Sequence, residues 1–108
     1  MNTGAIGATG TTAANEIAGA ADVVIGIGTR YADFTTASKS VWQHPGVKFV
    51  NINVAGLDAV KLAGLPVIAD AKRALPALLG ALSDYRTSQD YQDLAGRLAS
   101  EWDARVVA

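Results

Sequence analysis

The sequence predicts an α/β protein built on a parallel β-sheet flanked by helices. Short β-branched runs alternate with segments of helical period, which is the order expected of parallel strands joined by helical crossovers. The run at 22–28 (DVVIGIG) is continuously apolar and bounded by Asp and Gly, a pattern that predicts a strand buried on both faces. Composition agrees: 21 alanines and 11 glycines stand against two tryptophans, three tyrosines and two phenylalanines. Small side chains let helices pack close to a sheet, whereas a sandwich would need larger fillers.

Each element follows from local signals. Residues 4–12 are rich in glycine and threonine and read as a loop, with Thr12 as N-cap of a short helix at 13–18. The first strand is 22–28. A polar stretch follows, with a helical turn expected around 36–41, and Pro45-Gly46 ends it. The second strand is 47–53, and 54–63 carries a short helix or turn. Leu65-Pro66-Val67-Ile68-Ala69 is a short third strand that Pro66 pushes toward a sheet edge or a strand start. Asp70 caps a helix at 71–82 with leucines at 75, 78, 79 and 82. Pro76 lies too deep in that helix for a first-turn proline, so a later start or a local distortion is expected. Thr87 is read as the cap of a last helix at 88–106, with Tyr91, Leu94, Leu98, Trp102 and Val106 along one stripe.

Composition excludes several classes. With 108 residues, 50% of them apolar and 18% charged, the chain is about one domain, able to bury about 65% of its unfolded surface, and is not disordered. No apolar run is long enough for a transmembrane helix, and the start lacks the basic-then-apolar order of a signal peptide. A net charge of −1 gives no electrostatic footprint for nucleic acid or an acidic membrane. The absence of cysteine excludes disulfide and thiolate-metal sites and fits a reducing compartment, here expected to be the cytoplasm.

The residues offer a possible ligand edge and no catalytic set. In open parallel sheets, ligands bind beyond the carboxyl ends of the strands. Gly28 there would let a ligand approach the backbone, and Arg30 has the chemistry to pair with phosphate; the alternative is a tight turn with Arg30 bridging to Asp33 or to a neighbouring domain. Asn53 ends the second strand, either as a ribose contact or as an Asx turn. Asp70 is explained by helix capping. Residues 4–12 could cradle a phosphate but lack the lysine of a nucleoside-triphosphatase loop. His44 has no second ligand of its kind, and Asp90, Asp93, Glu101 and Asp103 read as a solvated helix face.

Taken together, GAIGATGT at 4–11, Ala14-Asn15, ADVVIGIGTR at 21–30, KFVNIN at 48–53 and VIADAK at 67–72 resemble the central domain of thiamine-diphosphate-dependent enzymes of the acetolactate synthase group. The likeness runs from about Gly4 to Leu82. Within the group, TRYADFTT at 29–36 looks most like the trihydroxycyclohexane-dione hydrolases of myo-inositol catabolism, which open a cyclic 1,2-dione by hydrolysing a carbon–carbon bond. Acetolactate synthases typically carry Arg-Phe-Asp-Asp-Arg at this place and Asp where Asn53 stands.

The resemblance implies a Rossmann-like domain of the DHS-like NAD/FAD-binding kind, of which this chain holds the later half at 1–84, with 85–108 as a linker helix. It implies thiamine diphosphate and Mg²⁺ in the intact enzyme, held by N- and C-terminal domains that this chain is expected to lack, and no catalysis by this chain alone. Gly28, Thr29, Arg30, Asn53 and Asp70 match places where the family contacts nucleotide. FAD or ADP is therefore a possible ligand, weakened by the missing carboxylate at 53. A homo-oligomer is expected, without nucleic-acid or membrane partners. The competing readings are an acetolactate synthase-like central domain and a free-standing nucleotide-binding or scaffolding module.

Overall fold

The computed structural model describes residues 1–108 and divides them into two compact units. One comprises Asp22–Tyr31 and Gly46–Arg86, the other Met1–Ala21, Ala32–Pro45 and Thr87–Ala108.

The first of these units carries the sheet. Strands β1 (Val23–Ile27), β2 (Lys48–Asn53) and β3 (Leu65–Ile68) are all parallel, in the order β1-β2-β3. Between β2 and β3 the chain makes the short helix α3 (Gly56–Ala59) and a 3-10 turn at Lys61–Ala63; after β3 comes α4 (Ala71–Ala81). Helix α3 packs on β2 and β3, and α4 on β2. Register pairs Ile25 with Val50 and Val50 with Leu65, so 23, 25 and 27 share one face with 50, 52, 65 and 67. The other face carries Val24, Gly26, Phe49, Asn51 and Asn53.

The expected double-sided burial of the first strand does not hold. β1 is an edge strand, and Val23, Ile25 and Ile27 are 51%, 40% and 43% exposed, while central Ile52 is 4% exposed. β3 forms the opposite edge, which is where Pro66 can sit without breaking the ladder. Nor does α4 start late: Asp70 Oδ1 accepts from Lys72 N at 2.8 Å, and the helix runs through Pro76 to Ala81. Leu75, Leu79 and Leu82 are exposed, so only Leu78 and the alanines at 71 and 74 are partly covered.

The second unit is helical. Helix α1 (Thr12–Ala20) is capped by Thr11, one residue earlier than expected, because the Thr11 hydroxyl accepts from Ala14 N at 2.9 Å and also donates to Thr3 O. The helical turn expected at 36–41 lies earlier, as α2 (Asp33–Thr36). Ala37, Ser38 and Lys39 then take left-handed φ values of 46°, 54° and 67°, held by the buried Thr36 hydroxyl, which accepts from Lys39 N, and by Ser38 N bonding to Asp33 O. Helix α5 (Gln89–Val107) starts at the Ser88 cap rather than at Thr87, since the Ser88 hydroxyl reaches Tyr91 N. α5 packs on α1, where buried Ala13, Ala14 and Ala18 permit close approach, with Leu98 at the centre of the predicted stripe. Val106, at the end of that stripe, is exposed.

The glycine-rich entry is a self-bonded turn. Asn15 grips Gly7 twice, accepting from its N–H and donating to its C=O. Ala8 N donates to Phe34 O, Gly10 N to Gly7 O and Thr11 N to Ala5 O. These amides are already paired and do not form a phosphate cradle.

Candidate functional site

Parallel strands end on one side of their sheet, so the segments after β1, β2 and β3 share a rim. Gly28, with φ +64°, turns the chain out of β1 and keeps its N–H on Ile52 O at 2.9 Å. Thr29 follows, half-buried, its hydroxyl accepting from Tyr31 N. Arg30 is exposed; its carbonyl accepts from Lys61 Nζ at 2.7 Å, and Lys61 also pairs with Asp58. Asn53 ends β2, 8% exposed. Its Nδ2 donates to Thr29 O and its Oδ1 accepts from Ala55 N, both at 3.0 Å, so the Asx turn is the reading that the geometry realises. Asp70 is exposed and caps α4, one residue after Ala69 N bonds Asn53 O. Gly28, Thr29, Arg30 and Asn53 are thus brought together, and Asp70 stands on the same rim with its carboxylate engaged by the helix.

The residues that organise this rim were missed among the sequence candidates. Asn51, 2% exposed, is a fully engaged amide: Oδ1 accepts from the Tyr31 hydroxyl at 2.5 Å, while Nδ2 donates to Ala59 O and Lys61 O, each at 2.9 Å. It ties the segment after β1 to the α3 turn. Tyr31 is itself buried with φ +51° and meets the Phe49 ring edge-on at 6.2 Å. Burial pushes its phenol pKa above the ordinary 10.0, as expected where the charged form would lose water. Two glycines make room: a Cβ at Gly26 would lie 1.9 Å from the Tyr31 hydroxyl, and one at Gly64 would lie 2.4 Å from Asn51 Nδ2. The available signal was Asn51 itself, a polar residue between Val50 and Ile52 in an apolar strand, since a buried amide must find partners.

No three His, Asp or Glu side chains gather to hold a metal ion, and no buried side-chain polar atom is left without a partner. The residues present do not fit a metal–diphosphate site.

Comparison with known proteins follows the same lines. The chain is 52% identical over 101 residues to 3D-(3,5/4)-trihydroxycyclohexane-1,2-dione hydrolase of Halalkalibacterium halodurans, which covers 94% of this chain and 16% of that protein. It is 54% identical over 98 residues to 3D-(3,5/4)-trihydroxycyclohexane-1,2-dione hydrolase 2 of Bacillus cereus, covering 89% and 15%. The enzyme of the same name from Clostridium tetani is 45% identical over 106 residues, covering 98% and 16%. The chain therefore spans about one sixth of the length of these relatives. No solved structure matches it. Residues 1–78 match the family described as thiamine pyrophosphate enzyme, central domain, whose name carries thiamine diphosphate as the cofactor. With most of its length matched, and with the α/β fold and parallel sheet that the resemblance implies, the chain belongs to the central-domain family of thiamine pyrophosphate enzymes.

Proposed function

We propose that this chain is central-domain sequence of a thiamine-diphosphate- and Mg²⁺-dependent 3D-(3,5/4)-trihydroxycyclohexane-1,2-dione hydrolase acting in the cytoplasm in myo-inositol catabolism. In the reaction, water adds across a ring carbon–carbon bond. One carbon takes the hydroxyl of water and becomes a carboxylate, the other takes the hydrogen, and both stay in one acyclic product. The observation that carries the reading is identity of 45–54% to three enzymes of that name over 89–98% of the chain. Residues 1–84 are read as the later part of the domain and 85–108 as its linker helix, which α5 anchors by lying along α1. The cofactor, the metal and the catalytic groups belong in this reading to N- and C-terminal domains, and this chain serves as non-catalytic scaffold. A homo-oligomer is the proposed assembly; the exposed apolar side chains of edge strand β1 are open to a neighbour, either the earlier part of the same domain or a second copy. Gly28, Thr29, Arg30, Asn53 and Asp70 remain the candidate ligand rim, with FAD and ADP the nucleotides to test and weak or no binding expected.

The test is to supply the intact protein with thiamine diphosphate, Mg²⁺ and the cyclic dione. Ring opening to an acyclic acid supports the reading. Acetolactate formation from pyruvate, with the dione untouched, overturns it in favour of the synthase-like alternative.

A further inference from the structure

We infer that Asn53 is a positioning residue for the 28–31 loop and that, in this role, its amide closes the carboxyl rim of the sheet to an adenosine ribose. At the end of a strand next to a ligand loop, a side chain that binds a ribose must present an outward acceptor to the hydroxyls. Asn53 does the reverse. It is turned inward, 8% exposed, with its donor on the Thr29 carbonyl and its acceptor on the Ala55 amide.

The loop is held at two further points, by the Tyr31 hydroxyl on Asn51 and by Lys61 on the Arg30 carbonyl. Thr29, Arg30 and Tyr31 are thus each fixed by a different side chain, and the Thr29 tether depends on an N–H. A carboxylate at 53 has no hydrogen to give the Thr29 carbonyl and would face it oxygen to oxygen. The amide at this position therefore suits the loop, and a ribose that took the place of its present partners would break the tether to Thr29 or the turn to Ala55. The inference concerns the rim alone and does not depend on which reaction the intact enzyme performs.

Two measurements on the full chain test it. In the unmodified protein, the Asn53 side-chain amide should exchange with solvent at least tenfold more slowly than a free asparagine amide, by NMR. In Asn53→Asp, the backbone amide signals of Thr29, Arg30 and Tyr31 should shift or broaden while those of α1 and α5 stay in place, and affinity for ADP should not rise. Asn53→Ala should disturb the same three signals, which covers the case of an acid variant that fails to fold. Free exchange of the Asn53 amide overturns the inference. So does an undisturbed loop in both variants, or a gain of tenfold or more in ADP affinity on Asn53→Asp.

Discussion

Replacing Asn51 with leucine keeps the size of the side chain and removes all of its hydrogen bonding. Three partners lose their bond: the Tyr31 hydroxyl, the Ala59 carbonyl and the Lys61 carbonyl. Lys61 is exposed, so water can replace the amide there. Ala59 is 0% exposed, so its carbonyl is stranded, while buried Tyr31 loses its hydroxyl bond to Asn51. A buried polar group left unsatisfied costs about 1–3 kcal/mol and a lost hydrogen bond about 0.5–1.5 kcal/mol, about 1.5–4.5 kcal/mol together. Leucine recovers part of this through apolar burial, leaving an expected net loss of about 1–3 kcal/mol. Against a typical domain stability of about 5–15 kcal/mol, that is a large fraction. The assay is urea unfolding, with the midpoint falling and the slope unchanged. Tyr31→Phe should cost less, because it strands only the Asn51 oxygen. The double variant should cost less than the sum of the two, since each removes the same bond. A loss below about 0.5 kcal/mol for Asn51→Leu, which is the ordinary range of a surface substitution, would refute the hub.

The remaining predictions concern the same unit and the apolar edge. Gly26→Ala should destabilise at least as much as Tyr31→Phe, because its methyl would occupy the place of the Tyr31 hydroxyl; near-wild-type unfolding would count against the close approach. The Tyr31 phenol titrates higher in the folded chain than in the unfolded one, so its stabilising contribution is complete below pH 10.0 and is lost as the pH rises through the raised value. Thermal unfolding followed from pH 9 upward should show that decline, and Tyr31→Phe should remove it. If β1 pairs with a second copy, as proposed, Ile25→Lys should shift sedimentation toward monomer while leaving the folded circular-dichroism spectrum intact, because charge on an edge strand opposes pairing; unchanged sedimentation would count against that assembly.

Architecture was legible in the sequence wherever one local rule acted alone. The strands at 23–27, 48–53 and 65–68 fall within two residues of the apolar runs, and Pro66 marked an edge strand. The misplaced features are those in which a rule met a competitor. The caps fall on Thr11 and Ser88, each next to the expected Thr12 or Thr87, and the outcome turned on which hydroxyl reaches an amide three residues on. The left-handed run at 37–39 had no glycine to announce it; it depends on the buried Thr36 hydroxyl, a tertiary circumstance. The apolar run in β1 was read as double-sided burial, but such a run records what a strand is suited to touch. It does not record whether that neighbour lies within these 108 residues.

The rim shows the same division between residue type and direction. Position in the chain placed Gly28, Arg30, Asn53 and Asp70 at strand ends, and parallel pairing then put them on one side. Function depends on which way each polar group points, and strand periodicity cannot give that at a strand's last residue, where the backbone leaves the ladder. Asn53 turns inward because Thr29 O and Ala55 N lie within reach, and Asp70 turns to its helix because Lys72 N does. Arg30, like the Asp70 carboxylate, is exposed. An adenosine contact that replaced the present partners of Asn53 would need its side chain released from the backbone it serves. The cost of that release is the lost hydrogen bonds, about 0.5–1.5 kcal/mol each and more where the group is charged. The rim is therefore better built to hold the 28–31 loop in one shape than to exchange its contacts for those of a nucleotide.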